Sequence, residues 1–95
     1  MALKVLVTYI AKPGHAQSFL SDILDNGLRD KVLAEDGCLQ YDYFTAAGNP
    51  DQILLVETWE SREAQKIHMD QPHMAGIHQA KEDHILDVTL ELFDF

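Results

Sequence analysis

Residues 56–77, VETWESREAQKIHMDQPHMAGI, join a strand to a pair of helices and place Glu57, Trp59, His68 and His73 where they can share one pocket. The run ILLVETW at 53–59 is apolar and rich in β-branched residues, which suits a buried strand. Ser61 then offers an N-cap hydroxyl, and Glu63 complements the helix dipole in the first turn. Pro72 interrupts that helix and is well suited to start another, because the N–H it lacks is unpaired there anyway. Glu57 and Trp59 are two apart on a strand and therefore point to the same face.

Working outward, Leu3 to Ala11 reads as a first strand and Pro13-Gly14 as a turn. A helix is expected over 15–33, with Phe19, Leu20, Ile23, Leu24, Leu28 and Val32 on one stripe. Gly27 interrupts that stripe, and close packing is its expected reason. A second strand, 38–45, should carry Leu39, Tyr41 and Tyr43 on one face, with Gln40 and Asp42 on the other. Residues 46–51, with Gly48-Asn49-Pro50, form a turn into a third strand at 52–60. The broken helical region runs to His84. A last strand at 85–93 places Leu86, Val88, Leu90 and Leu92 on one face.

The order is βαββαβ, so the fold class is α+β, ferredoxin-like, with an antiparallel sheet. Strands one and three are apolar on both faces and belong at the centre; two and four alternate and belong at the edges. Helices of one subunit cover only one face of such a sheet. A second copy's sheet is the simplest cover for the other, so a homodimer is expected.

Residues 1–95 make one domain. The net charge of −9 argues against nucleic acid and anionic membranes, because seven Lys and Arg cannot readily build a phosphate-binding patch. Cys38 is the only cysteine, so there is no disulfide framework. A lone small residue at a strand start reads as packing rather than as a nucleophile. Residues 3–10 are too short and too β-branched for a signal peptide or a membrane span. A cytoplasmic protein is expected.

His68, His73, His78 and His84 invite a metal reading, but steps of five or six residues turn successive side chains to different helix faces. No metal site is expected. His68 lies near the inward boundary of its helix, where a neutral imidazole can take a proton from a bound ligand or can bond helix to sheet. Glu57 is mid-strand among apolar neighbours and needs a partner or a raised pKa. It can orient His68, pair with Arg62 or Lys66, or act across a dimer. Trp59 and Tyr41 are candidates to stack on an aromatic ligand, with Tyr9 and Met74 beside them. Nucleotide loops, Ser-His-Asp signatures and Cys-x-x-Cys motifs are missing, so no cofactor is expected.

Several of these pieces carry a family resemblance: Glu57, Trp59-Glu60-Ser61, His68 and Pro72-His73-Met74, with Pro13-Gly14, Gly37-Cys38 and Tyr41 upstream. The chain resembles the antibiotic biosynthesis monooxygenase family, nearest its quinol monooxygenase branch. The resemblance implies a dimeric α/β-barrel of ferredoxin-like subunits and a cofactor-independent monooxygenase. The substrate would be a small quinol or phenolic aromatic that supplies the electrons to molecular oxygen itself. His68 and Glu57 are then the catalytic candidates, and Trp59, Tyr41, His73, Met74 and Tyr9 the substrate-binding ones. The superfamily also contains isomerases of small sugar-derived signals, which would want Arg62, Lys66 or Lys81 at the pocket. A dimer that only binds a small apolar ligand is a third reading. The haem-degrading branch fits less well: His78 stands at its haem-ligand position, but Val7 replaces its asparagine and His68 its tryptophan.

Overall fold

The computed structural model describes residues 1–95. The elements are β1 (Leu3–Ala11), α1 (Ala16–Asp25), α2 (Leu28–Leu33), β2 (Cys38–Ala46), β3 (Asn49–Trp59), α3 (Arg62–Met69), α4 (Met74–His84) and β4 (Ile85–Asp94). The strands form one antiparallel sheet in the order β2-β3-β1-β4, with the doubly apolar strands at its centre as their composition requires. This is the ferredoxin-like α+β arrangement. No helix is long and apolar enough to cross a membrane.

β1 alternates with period two. Leu3, Val5, Val7, Tyr9 and Ala11 are buried under the helices, while Lys4, Leu6, Thr8 and Ile10 stay half-buried on the far face. From β3, Ile53, Leu55, Glu57 and Trp59 join the helix side. Phe19 and Ile23 of α1, Val32 of α2 and Ile77 of α4 close the core from above. The Ser61 hydroxyl accepts the Ala64 N–H at 3.1 Å, which is the N-cap anticipated for α3.

The expected 15–33 helix is two helices. α1 ends at Asp25, and Gly27 takes φ +69°, the left-handed conformation common just past a helix end. A Cβ on Gly27 would meet nothing within 4 Å, so its reason is backbone conformation and not close packing. The turn before β3 is also tighter than expected: Ala46 already pairs with Asn49. Pro50 is tolerated in β3 because β1 pairing starts only at Gln52, leaving that end of the strand an edge.

Two register shifts correct the expected strand faces. In β2 Cys38 pairs with Trp59 and Gln40 with Thr58, so Leu39 is the extra residue of a bulge. Leu39 is 61% exposed, while Cys38, Tyr41 and Tyr43 keep the helix side. In β4 the shift falls between Asp87 and Ile85, which leaves Leu86 out of the run. Val88, Leu90 and Leu92 do share the helix side, opposite Tyr9, Val7 and Val5. Yet no helix covers them fully, and they are 45%, 55% and 38% exposed.

Gly37 makes a contact that positions the site. It has φ +84°, and a Cβ there would stand 2.7 Å from the Cβ of Ala64 and 2.9 Å from Cγ of Glu60. Its carbonyl accepts the Glu60 N–H at 2.8 Å, locking the loop before β2 onto the start of α3. Gly37→Ala is expected to cost about 2–4 kcal/mol, combining a left-handed side chain with a backbone-proximal clash. Urea unfolding of the two proteins side by side measures it.

Candidate active site

α3 and α4 cross the sheet over β1 and β3, and between them lies a cavity of about 100 Å³. Val5, Val7 and Ile77 give it apolar walls; Glu57, His68 and Lys81 are its ionisable groups. Tyr9, Tyr41 and Met74 line it too, as do Val88 and Leu90 at the thinly covered β4 side. Five of the seven site candidates therefore meet here: His68, Glu57, Tyr41, Met74 and Tyr9.

The other two do not line it. Trp59 is completely buried behind His68, with ring centroids 4.6 Å apart, so its stacking partner is the imidazole and not a ligand. It closes the end of β3 opposite Cys38 and is not among the residues that line the cavity. His73 faces a separate open groove with Lys31, Asp36 and Gln71, because it precedes α4 on the turn that leaves α3.

Glu35 was not singled out in the sequence. It sits in the short connection between α2 and β2, and its Oε2 lies 2.8 Å from His68 Nδ1 and 2.8 Å from His73 Nε2. An ionised carboxylate only accepts, so both ring nitrogens carry their protons toward Glu35. The Nδ1–H tautomer leaves His68 Nε2 with its lone pair, and that atom lies 4.0 Å from Glu57 Oε1. Glu35 Oε1 is buried without a partner. The only hint at sequence level was an acidic residue directly before Asp36-Gly37 in a loop leading to a buried strand.

Spacing had placed His68 and His73 on different helix faces. They meet at one carboxylate because α3 stops at Met69 and the chain turns through Pro72 before α4 begins. Glu35, His68 and His73 offer ligand atoms within 4.8 Å of one another, as do Asp22, Asp83 and His84, so each set has the reach to hold a metal ion. In the first set both imidazole N–H groups are spent on Glu35. In the second, His84 Nε2 is bonded to Asp22 at 2.8 Å and His84 Nδ1 to His15 at 3.0 Å.

Burial raises the pKa of Glu57; the Trp59 Nε1–H, which Glu57 Oε1 accepts at 2.9 Å, and nearby His68 pull it back. Arg62 does not pair with Glu57 but with Asp94. Burial lowers the pKa of Lys81, with Glu57 opposing that shift. Burial also pushes the hydroxyls of Tyr9 and Tyr41 far above the usual phenol range, so neither is a base. The Cys38 thiol is pushed up to about 11, chiefly by burial, which leaves it unreactive near neutral pH. What remains is one imidazole with a free lone pair, one carboxyl of raised pKa and one ammonium, all facing an apolar cavity. Such a set can move a proton to or from a small ligand and hold the charge that results.

Comparison with known proteins gives the same architecture. YcnE of Bacillus subtilis (strain 168), which carries a provisional monooxygenase name, is 33% identical over 89 residues, covering 93% of this chain and 90% of its own. YgiN of Escherichia coli (strain K12), provisionally named a quinol monooxygenase, is 29% identical over 100 residues, covering 95% and 94%. The crystal structure of PA3566 from Pseudomonas aeruginosa superposes with a TM-score of 0.85 at 25% identity, over 97% of this chain and 91% of that one. The profile of the family "Antibiotic biosynthesis monooxygenase" matches residues 2–80, a span that includes β1, Glu35, Glu57, His68 and most of α4. On that match the chain belongs to the antibiotic biosynthesis monooxygenase family.

Proposed function

We propose that the protein is a cofactor-independent monooxygenase that oxidises a small quinol or phenolic aromatic with molecular oxygen. The observation that carries the reading is His68: its Nδ1–H is held by Glu35, and its free Nε2 borders an apolar cavity. The family and the quinol monooxygenase name of its relative YgiN support the reaction class. His68 Nε2 takes the proton of the substrate hydroxyl, and the electron-rich anion then reduces oxygen. One oxygen atom stays on the substrate and the other leaves as water, all four electrons coming from the substrate. Glu35 acts as a positioning residue, because a rotated or flipped imidazole would present an N–H and not a base. The apolar walls keep the anion from being quenched by water.

The cavity of about 100 Å³ is smaller than the apolar cavity of about 150 Å³ that takes up benzene, so one ring is the upper limit. Even that ring has to widen the cavity, which is open toward Val88 and Leu90 of β4. The working unit is a homodimer, whose partner sheet covers the half-buried face of β1 and β3. The test is oxygen consumption with a panel of one- and two-ring quinols. Oxygen should disappear in step with a one-ring quinol, well above the protein-free rate. A ligand that binds in the cavity with no oxygen uptake across the panel would make this a binding protein instead.

A further inference from the structure

Lys81 is out of place as a structural residue. Met74, Ile77 and Lys81 follow one another at i, i+3 and i+7 on α4, and all three line the cavity. An inward stripe of this kind is normally apolar throughout, and a methionine would fill the third position without charge. Lys81 is half-buried there, yet no carboxylate lies within 4.0 Å of its ammonium in a chain with sixteen Asp and Glu. The acids nearest the site are otherwise engaged: Glu57 accepts from Trp59, and Glu35 from His68 and His73. A desolvated cation without a partner costs stability unless something else repays it.

We propose that Lys81 is the oxyanion-binding residue of the cavity, and that the ligand it selects is a one-ring phenol or enol bound in its ionised form. The inference rests on the oxygenase reading only for the role of His68 as the base. The hydroxyl proton passes to His68 Nε2, and the oxygen left negative pairs with the Lys81 ammonium. No bond to carbon forms or breaks in this step. The groups facing Lys81 are Glu57 from β3, His68 from α3, Tyr9 from β1 and Tyr41 from β2, while β4 offers only Val88 and Leu90. Tyr9 and Tyr41 stay neutral by burial, so Glu57 is the one group that competes with the ligand for the ammonium. Its burial disfavours the charged form and weakens that competition.

The probe is 4-nitrophenol, whose anion absorbs visible light and whose neutral form does not, with 4-nitrotoluene as the uncharged partner of the same shape. Wild-type protein should bind nitrophenol as the anion and lower its ionisation midpoint by about one pH unit, a tenfold preference over the neutral form. Lys81→Arg should keep most of that shift. Lys81→Met should abolish it, still bind 4-nitrotoluene, and melt at a higher temperature than wild type, because a half-buried charge without a partner has gone. A purely structural lysine would give the opposite melting result. The proposal is overturned if nitrophenol fails to bind, if Lys81→Met ionises it as wild type does, or if Lys81→Met is destabilised. Anion binding through Lys81 without oxygen uptake on any quinol would leave this inference standing and remove the oxygenase reading.

Discussion

His68→Ala is expected to lower oxygen-dependent turnover of a one-ring quinol by about 10²–10⁴-fold, the range for loss of a general base. Alanine alone does not separate chemistry from folding, because His68 is only 2% exposed, packs on Trp59 and satisfies Glu35. Its removal opens a void and takes one of two donors from a buried carboxylate, a cost of about 2–4 kcal/mol. His68→Asn resolves the two effects. Its amide can still donate toward Glu35, but it carries no lone pair able to take a proton at the cavity. The expected result is Asn nearly as slow as Ala and clearly more stable. His73→Ala removes the other donor to Glu35 and leaves the cavity intact, so its rate should fall far less. Rates on an active quinol and melting curves of the three variants decide it. Full activity in His68→Asn would exclude proton transfer through this ring, and a rate loss that tracks stability across the series would make His68 a structural residue.

The parts of this molecule that were legible in the sequence are those set by local periodicity. β1 and β3 are apolar on both faces and occupy the centre of the sheet; Ser61 caps α3; the break around Pro72 is there, although α3 already stops at Met69 and α4 begins only at Met74. What was not legible depends on register or on contacts between distant segments. A bulge at Leu39 moves one side chain to the opposite face, and nothing in a run of alternating residues marks which one is skipped. Gly27 ends α1 by taking a left-handed backbone, although the apolar stripe runs on past it into α2. Glu35 and His68 are 33 residues apart, so their bond is visible only once Gly37 has pinned the loop to α3. Trp59 can be read as a ligand platform, although such residues are usually core, and the structure buries it with the imidazole of His68 against it. The alternation of β4 holds for Val88, Leu90 and Leu92 but not for Leu86, which the register shift after Ile85 takes out of the run. The exposure of that face depends on what packs over it rather than on the alternation itself.

The second large effect is expected at the sheet face away from the helices. Leu6 and Ile10 of β1 and Leu54 and Val56 of β3 stand there together, Leu6 opposite Val56, and the chain's own helices lie on the other side. Four polar residues toward the β2 side of this face are bonded among themselves, while Glu91, Thr89 and Asp87 of β4 stand beside Leu6, Thr8 and Ile10. Lys4 Nζ donates to Thr58 at 2.7 Å and to Gln40 at 3.1 Å, and Gln40 donates to Asp42 at 3.0 Å. The apolar centre and the bonded group around Lys4 favour a cover, and a partner has to leave Glu91 and Asp87 solvated or paired, because a stranded charge is costly. Leu6→Glu places an unpaired carboxylate at that centre, at an expected cost of about 3–5 kcal/mol. If a second copy covers the face, the variant should dissociate and also melt earlier, because dimer and fold are linked. Wild-type melting should then rise with protein concentration, whereas the variant's should not. Light scattering and melting across a dilution series make both readings. A wild-type chain that stays folded as a monomer at every dilution would leave the face without a partner, and Leu6→Glu would then cost little, since a charge on a solvated sheet face is rarely worth more than about 0.5 kcal/mol.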